Sequence, residues 1–339
     1  MATVKWTGGH QSSVLCVAVN QTTGTIASGG ELGELCIWSD TGELLHKYSR
    51  PGADCTSVLF SKEKHSILYA AFGLEILMFD VSQTLELVYV FQGNQDEVNQ
   101  VQLDDKEQFL AACDDSGEIK IFSIGDKKVF KTLRFKHTNI CSTISFRSNH
   151  PWEIISGGLD CRLIHWNFST LKCLNKFNMQ ELHSTSNDAS LYMVNPPFVH
   201  HIGKNESGSL YACALENGLI AVFDGSSRHL KEKFSLHAHE QGVSQVHFHG
   251  DNTLISGGND YRVIVWDLSK AEQYQEHENL VMNGDCSPED KRNEIITVLC
   301  RVKIIAHPHK VNWLIPFVRS GHLFAAIADQ TCEITIQPL

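Results

Sequence analysis

The chain has 339 residues, 42% of them hydrophobic, and carries 39 acidic against 28 basic side chains for a formal net charge of −11. The apolar share is ample for a buried core, whereas the acidic balance excludes a non-specific nucleic-acid surface, which relies on clustered Lys and Arg. No apolar run approaches the roughly 18 residues that a membrane-crossing helix requires.

The opening MATVKWTGGH lacks the apolar heart of a signal peptide, so an intracellular place, cytoplasmic or nuclear, is expected. The 11 cysteines are odd in number and scattered singly without a CxxC pair. That reads as reduced thiols rather than a disulfide framework, most of them in strands where Cys acts as a small buried hydrophobe.

In chain order, residues 3–6 (TVKW) read as a short strand with no repeat of its own. From about His10 to Tyr48, SVLCVAV, TIASGG, ELCIW and LLHKY form four strands. Similar units run from about Thr56 to Phe91, where the turn at Phe72–Gly73 is one residue shorter, and from Glu97 to Leu133, with Asp114 to Gly117 as its turn. A fourth spans about Ile140 to Phe177 and a fifth Phe198 to Phe234. In the sixth, LISGGNDYRVIVWD places Gly257 and Gly258 at a tight turn, where they are expected to supply positive φ. The β-branched run Val263, Ile264, Val265 then suits a buried strand. The last unit, Val311 to Gln337, supplies only three strands.

Two stretches break the rhythm. Residues 178–197 (NMQELHSTSNDASLYMVNPP) are longer than an ordinary connection, and residues 269–293 are charged and read as a flexible insertion inside the sixth unit. The run EIITVLCRVKII (Glu294 to Ile305) is expected to resume as the fourth strand of that unit.

Closing aromatics fall at Trp38, Phe79, Phe122, Trp166, Phe223 and Trp266, and subtraction gives gaps of 41, 43, 44, 57 and 43. A repeat of about 40–45 residues with small residues, an Asp turn and a Trp-Asp ending resembles the WD40 family. The resemblance implies an all-β fold, a seven-bladed WD40 β-propeller over residues 1–339, closed by the N-terminal strand completing the last blade. One repeat cannot bury its own faces, so the copies must share a core. The family also implies hydrogen-bonded tetrads at His239, Ser256, Asp260 and Trp266, and at His137, Ser156, Asp160 and Trp166. In the third blade Ala112 and Ser116 stand at the Ser and Asp positions, and such blades are expected to rest mainly on packing.

The end of the sixth blade resembles a box found in WD40 substrate receptors of cullin-4 RING ubiquitin ligases. There, Trp-Asp is followed after one residue by a basic side chain that projects from the bottom face to the ligase adaptor. Here Trp266 and Asp267 match, Ser269 holds the basic position, and Lys270 arrives one residue late without the bidentate fork of Arg. Segments spread over the length (VKWTGGH, TSVLFS, CDDSGEIKI, HTNICSTISFR, GVSQVHF, KVNWL) resemble a subgroup regarded as such receptors, with no assigned substrate. The resemblance implies an adaptor on the bottom face, a client protein on the top face, and a monomeric propeller. The alternative is an assembly scaffold of another multiprotein complex without a ligase role.

Enzymatic readings find no anchor: GxxxxGK[ST], HExxH, GxSxG and GxGxxG are all absent. The Ser, His and Asp of the tetrads are expected to lie in the interior, so no catalytic residue is expected. The 18 histidines include HxH pairs at His237 and His239, His247 and His249, and His307 and His309, but spacing fixes no third ligand beside them. No metal or cofactor is expected. The sequons at Asn167 and Asn205 are idle in an intracellular chain.

Overall fold

The computed structural model describes residues 2–182, 195–281 and 289–339. Seven four-stranded antiparallel sheets follow one another, and in six of them the strands lie in chain order. The inner strands are Val14–Val19, Cys55–Phe60, Val98–Leu103, Cys141–Phe146, Val199–Lys204, Val243–His249 and Val311–Arg319. Each inner strand touches the next, and the last touches the first, so the sheets close into a ring of blades around a channel. In the seventh sheet Val4–Trp6 pairs antiparallel with Ile334–Pro338, setting Val4 opposite Ile336. The first strand thus becomes the outer strand of the last blade and ties the two ends of the ring together.

Apolar side chains fill the spaces between neighbouring blades. Trp6, Val17, Trp38, Phe317, Phe324 and Ile334 form one cluster between blades seven and one. Among the described residues all ten cysteines are free, and eight of them are buried. Among the described residues no helix is long and apolar enough to cross a membrane.

Gly257 and Gly258 do not supply positive φ. They lie within the strand Thr253–Gly258, and the left-handed residue of that turn is Tyr261, with φ 63°. The glycines are needed for space. A Cβ on Gly257 would stand 2.6 Å from Leu314 Cδ2 of the next blade, and one on Gly258 would collide with the His239 ring.

The two irregular stretches also differ from expectation. The first opens with a single helical turn, α1 (Met179–Leu182), whose Met179 is fully buried among the strands of blades four and five. Residues 183–194 lie outside the described residues. The second stretch holds two helices, α2 (Ser269–Val281) and α3 (Glu289–Cys300), and the fourth strand of blade six starts only at Arg301. Pairing explains that late start. The strand Arg301–Ala306 runs against Arg262–Asp267 from Arg262 opposite Ala306 to Trp266 opposite Arg301, so residues before 301 meet no further strand. The β-branched run from Ile295 to Val298 favours a strand locally, but tertiary context makes it helical.

Candidate protein-interaction surfaces

In blade six the Trp266 indole donates from Nε1 to Ser256 Oγ at 3.0 Å. His239 lies 2.8 Å from that hydroxyl through Nε2 and 2.7 Å from Asp260 Oδ1 through Nδ1. Because Asp260 can only accept, Nδ1 carries the proton and the Ser256 hydroxyl donates to Nε2. Blade four has the same chain through Trp166, Ser156, His137 and Asp160, at 2.8, 2.8 and 3.0 Å. Burial alone would raise the Asp260 and Asp160 carboxyls, but the imidazole hydrogen bonds, joined by those of the Glu240 and Thr138 amides and by the Arg262 and Arg162 charges, outweigh it and hold both below the usual range. Ser256 and Ser156 are fully buried and already bonded to indole and imidazole, so neither hydroxyl is open to a substrate.

Blade one contains a related chain that sequence reasoning missed. His10 Nε2 lies 2.6 Å from Ser28 Oγ, and Trp38 Nε1 donates to the same oxygen at 2.8 Å. The Ser-to-Trp spacing of ten residues is shared with the other two blades and was the available signal. The carboxylate comes from Glu34, which stands 3.6 Å from His10 Nδ1 and instead binds Lys47 at 2.7 Å. Two further blades carry shorter polar links, His200 to Glu216 at 2.6 Å and His307 to Asp329 at 2.8 Å. Blade three uses Asp114, which accepts from Ser116 Oγ at 2.5 Å. Blades one, three, five and seven therefore carry polar links as well as packing.

The channel mouth is built by a repeated irregularity. All seven inner strands carry a register shift at their second residue: Leu15, Thr56, Asn99, Ser142, His200, Ser244 and Asn312. A bulge of this kind re-aims a side chain, and four of these reach the next blade's backbone. Thr56 donates to the Val98 carbonyl, Asn99 to Cys141 O at 3.2 Å, Ser142 to Val199 O, and Asn312 to Val14 O at 2.9 Å. The result is a polar, nearly uncharged rim around a cavity of about 370 Å³. A second cavity, of about 380 Å³, opens among the loops of blades one and two. Trp313 lines both and packs edge-on against His201 with ring centroids 5.7 Å apart. His201 in turn lies against His247 at 4.5 Å. His247 bonds Gln245 at 3.1 Å and His249 is exposed, so this HxH pair does not converge. Among the described residues no group of three or more metal-ligating side chains comes together.

At the far end of blade six the expected partner-binding residues divide by exposure. Trp266 is fully buried, Asp267 is half-buried and Lys270 is exposed. Asp267 Oδ1 accepts from the Ser269 amide at 3.1 Å and from its hydroxyl at 2.6 Å, which caps the start of α2. Lys270 therefore stands on the first turn of a helix rather than on a free strand end. Trp266 can act on a partner only through the fold it supports. Of the two sequons, Asn167 is tied to Ser169 and Thr170, and Asn205 is buried and bonded to Ser209 and Leu210.

Comparison with known proteins agrees with this architecture. A family model described as WD domain, G-beta repeat matches residues 3–39, 85–123, 128–167 and 230–267. The WD repeat-containing protein 53 homolog of Dictyostelium discoideum is 29% identical over 332 residues, covering 90% of this chain and 86% of that protein. The histone acetyltransferase type B subunit 2 of Candida glabrata is 24% identical over 211 residues, half of each chain. Among solved structures, the WD40 β-propeller domain of Doa1 superposes with a TM-score of 0.72 at 16% identity, covering 98% of this chain and 95% of that one.

Proposed function

Because the chain is a WD40-repeat β-propeller, a family whose members generally bind protein partners and are generally non-catalytic, we propose that it acts as a substrate receptor of a cullin-4 RING ubiquitin ligase. The observation that carries the reading is the Trp266-Asp267 ending of blade six with exposed Lys270 beside it on the same face. Lys270 and the half-buried Asp267 meet the ligase adaptor, while the polar rim around Asn99, Ser142, His200 and Asn312 presents a client protein. Ubiquitin transfer is then promoted by proximity, through a raised effective concentration of client lysines near the charged enzyme. The propeller works as a monomer in the cytoplasm or nucleus.

A second reading is favoured by one contact. Ser269 occupies the position a basic residue takes in such boxes, and its hydroxyl is spent on Asp267. This supports a scaffold in another complex, and one relative is named as a subunit of a histone acetyltransferase.

Affinity purification of the wild type and of Lys270→Glu from cells, with adaptor and cullin-4 quantified, separates the two. Lys270 is exposed near a helix N-terminus, where a cation is disfavoured, so the Glu variant should melt at the same temperature or slightly above it. The adaptor is expected to co-purify with the wild type and to drop by about tenfold or more with the variant, as loss of a hot spot of about 2 kcal/mol requires. Absence of the adaptor from the wild-type preparation sinks the ligase reading and leaves the scaffold.

A further inference from the structure

We infer that the outward face of α3, with the basic residues around it, is a docking surface for an acidic amphipathic helix of a protein partner. The helix has two unlike faces. Ile296, Thr297 and Cys300 are buried, with Ile296 and Cys300 in the core shared by blades five and six. Ile295, Val298 and Leu299 point to solvent at 42%, 70% and 41% exposure, and the strand that follows adds Val302 at 56% and Ile304 at 48%. Five of the twenty exposed large apolar side chains among the described residues thus fall within ten positions. Exposed apolar residues scattered singly are ordinary, but a run of them is not.

The face also runs against local preference. Ile295 and Val298 are β-branched and lose rotamer freedom on a helix. At solvent-facing positions Lys, Glu or Gln would favour both the helix and solubility. A packing partner outside the chain supplies the missing gain. The i, i+3, i+4 spacing of residues 295, 298 and 299 is the pattern by which one helix packs on another.

Charge selects the kind of helix. Between Glu289 and Ile304 stand Lys291, Arg292, Arg301 and Lys303 against Glu289, Asp290 and Glu294, a local excess of one basic charge on a chain whose net charge is −11. Lys291, Arg301 and Lys303 are exposed. Arg301 is further held over the Trp266 ring at 5.6 Å. An acidic segment is repelled by the chain's net charge and attracted here, which steers encounter to this surface. An anionic membrane meets the same repulsion over a far larger area.

The inference does not depend on the ligase reading, and its test uses a separate readout. The photo-crosslinker p-benzoylphenylalanine is placed at Val298 of the full chain in cells, and as a control at Val88, which is 42% exposed on the outer strand of blade two. Cross-linked segments are sequenced, synthesised, and titrated against the purified chain. Expected from Val298, and not from Val88, is a segment with net negative charge and apolar residues at i, i+3 and i+4. Its affinity should fall at least about tenfold for Lys291→Glu/Lys303→Glu and for Leu299→Gln, with unchanged melting temperatures. Cross-links only to lipid, to a second copy of this chain or to segments without negative charge would overturn the inference. So would no cross-link at Val298, or an affinity indifferent to the charge reversal.

Discussion

Buried polar side chains in this protein are kept neutral or paired, and the histidines show how. Burial pushes His10 and His201 down to about 4, and His247 well below its ordinary value, with the neighbouring His201 ring adding to the effect. His201 donates Nδ1–H to the Val246 carbonyl at 2.9 Å, while its Nε2 has no partner to favour a second proton. In the unfolded chain these rings titrate near 6.5. Between that value and about 4 the unfolded state takes up protons that the folded state refuses. Their contribution to stability is therefore complete above pH 6.5 and is lost as pH falls towards 4. Thermal melts over this window should show a falling midpoint, each such histidine contributing at most about 1.4 kcal/mol per pH unit, and His201→Gln should flatten the slope. Histidine, serine and tryptophan spacing made the chains in blades four and six readable in advance. Glu34 hid the one in blade one, because its longer side chain reaches the site from a different sequence position.

α3 is the element least readable from sequence, and its polar residues explain its role. Asn293 Oδ1 accepts from the Ser235 amide at 3.2 Å, and Thr297 Oγ1 accepts from the His237 amide at 3.0 Å. Both amides belong to Lys231–His237, the outer strand of blade five, whose edge would otherwise be open. Lys233 adds an ion pair to Glu272 of α2 at 2.7 Å. The helices therefore act as an edge cover, a role for which a sequence has no periodic signal because it is written in single Asn and Thr side chains. Thr297→Val should leave the His237 amide without its acceptor at a cost of about 1–3 kcal/mol. Hydrogen exchange should then quicken at His237 and Ser235 and stay unchanged in the outer strand of blade two.

At the scale of the whole molecule the seven-fold repeat was readable because six of the seven units end on an aromatic core residue, while the ring's bulges left no mark in composition. Thr, Asn, Ser, His and Leu all occupy the same bulged place. The strand pairing that completes the last blade comprises three residue pairs, Val4 with Ile336, Lys5 with Thr335 and Trp6 with Ile334. Trp6 is also buried in the cluster between blades seven and one, with its ring 6.0 Å from that of Trp38. Trp6→Ala should cost about 3–5 kcal/mol, the usual range for emptying a buried aromatic site. Denaturant unfolding should register that loss, and light scattering should show self-association once Val4–Trp6 detaches and the buried Ile334 and Ile336 come to lie on the edge strand.

That clasp joins residues far apart in the time of synthesis. Val4 is made 332 residues before Ile336, its partner across the sheet. At about 5–20 residues per second, tens of seconds separate the two on the ribosome. Throughout that interval the blades accumulate as an open arc with a hydrophobic flank at either end. A ribosome stalled before Ile334–Pro338 would thus hold an unfinished circle, because Val4–Trp6 has no partner until that strand is made.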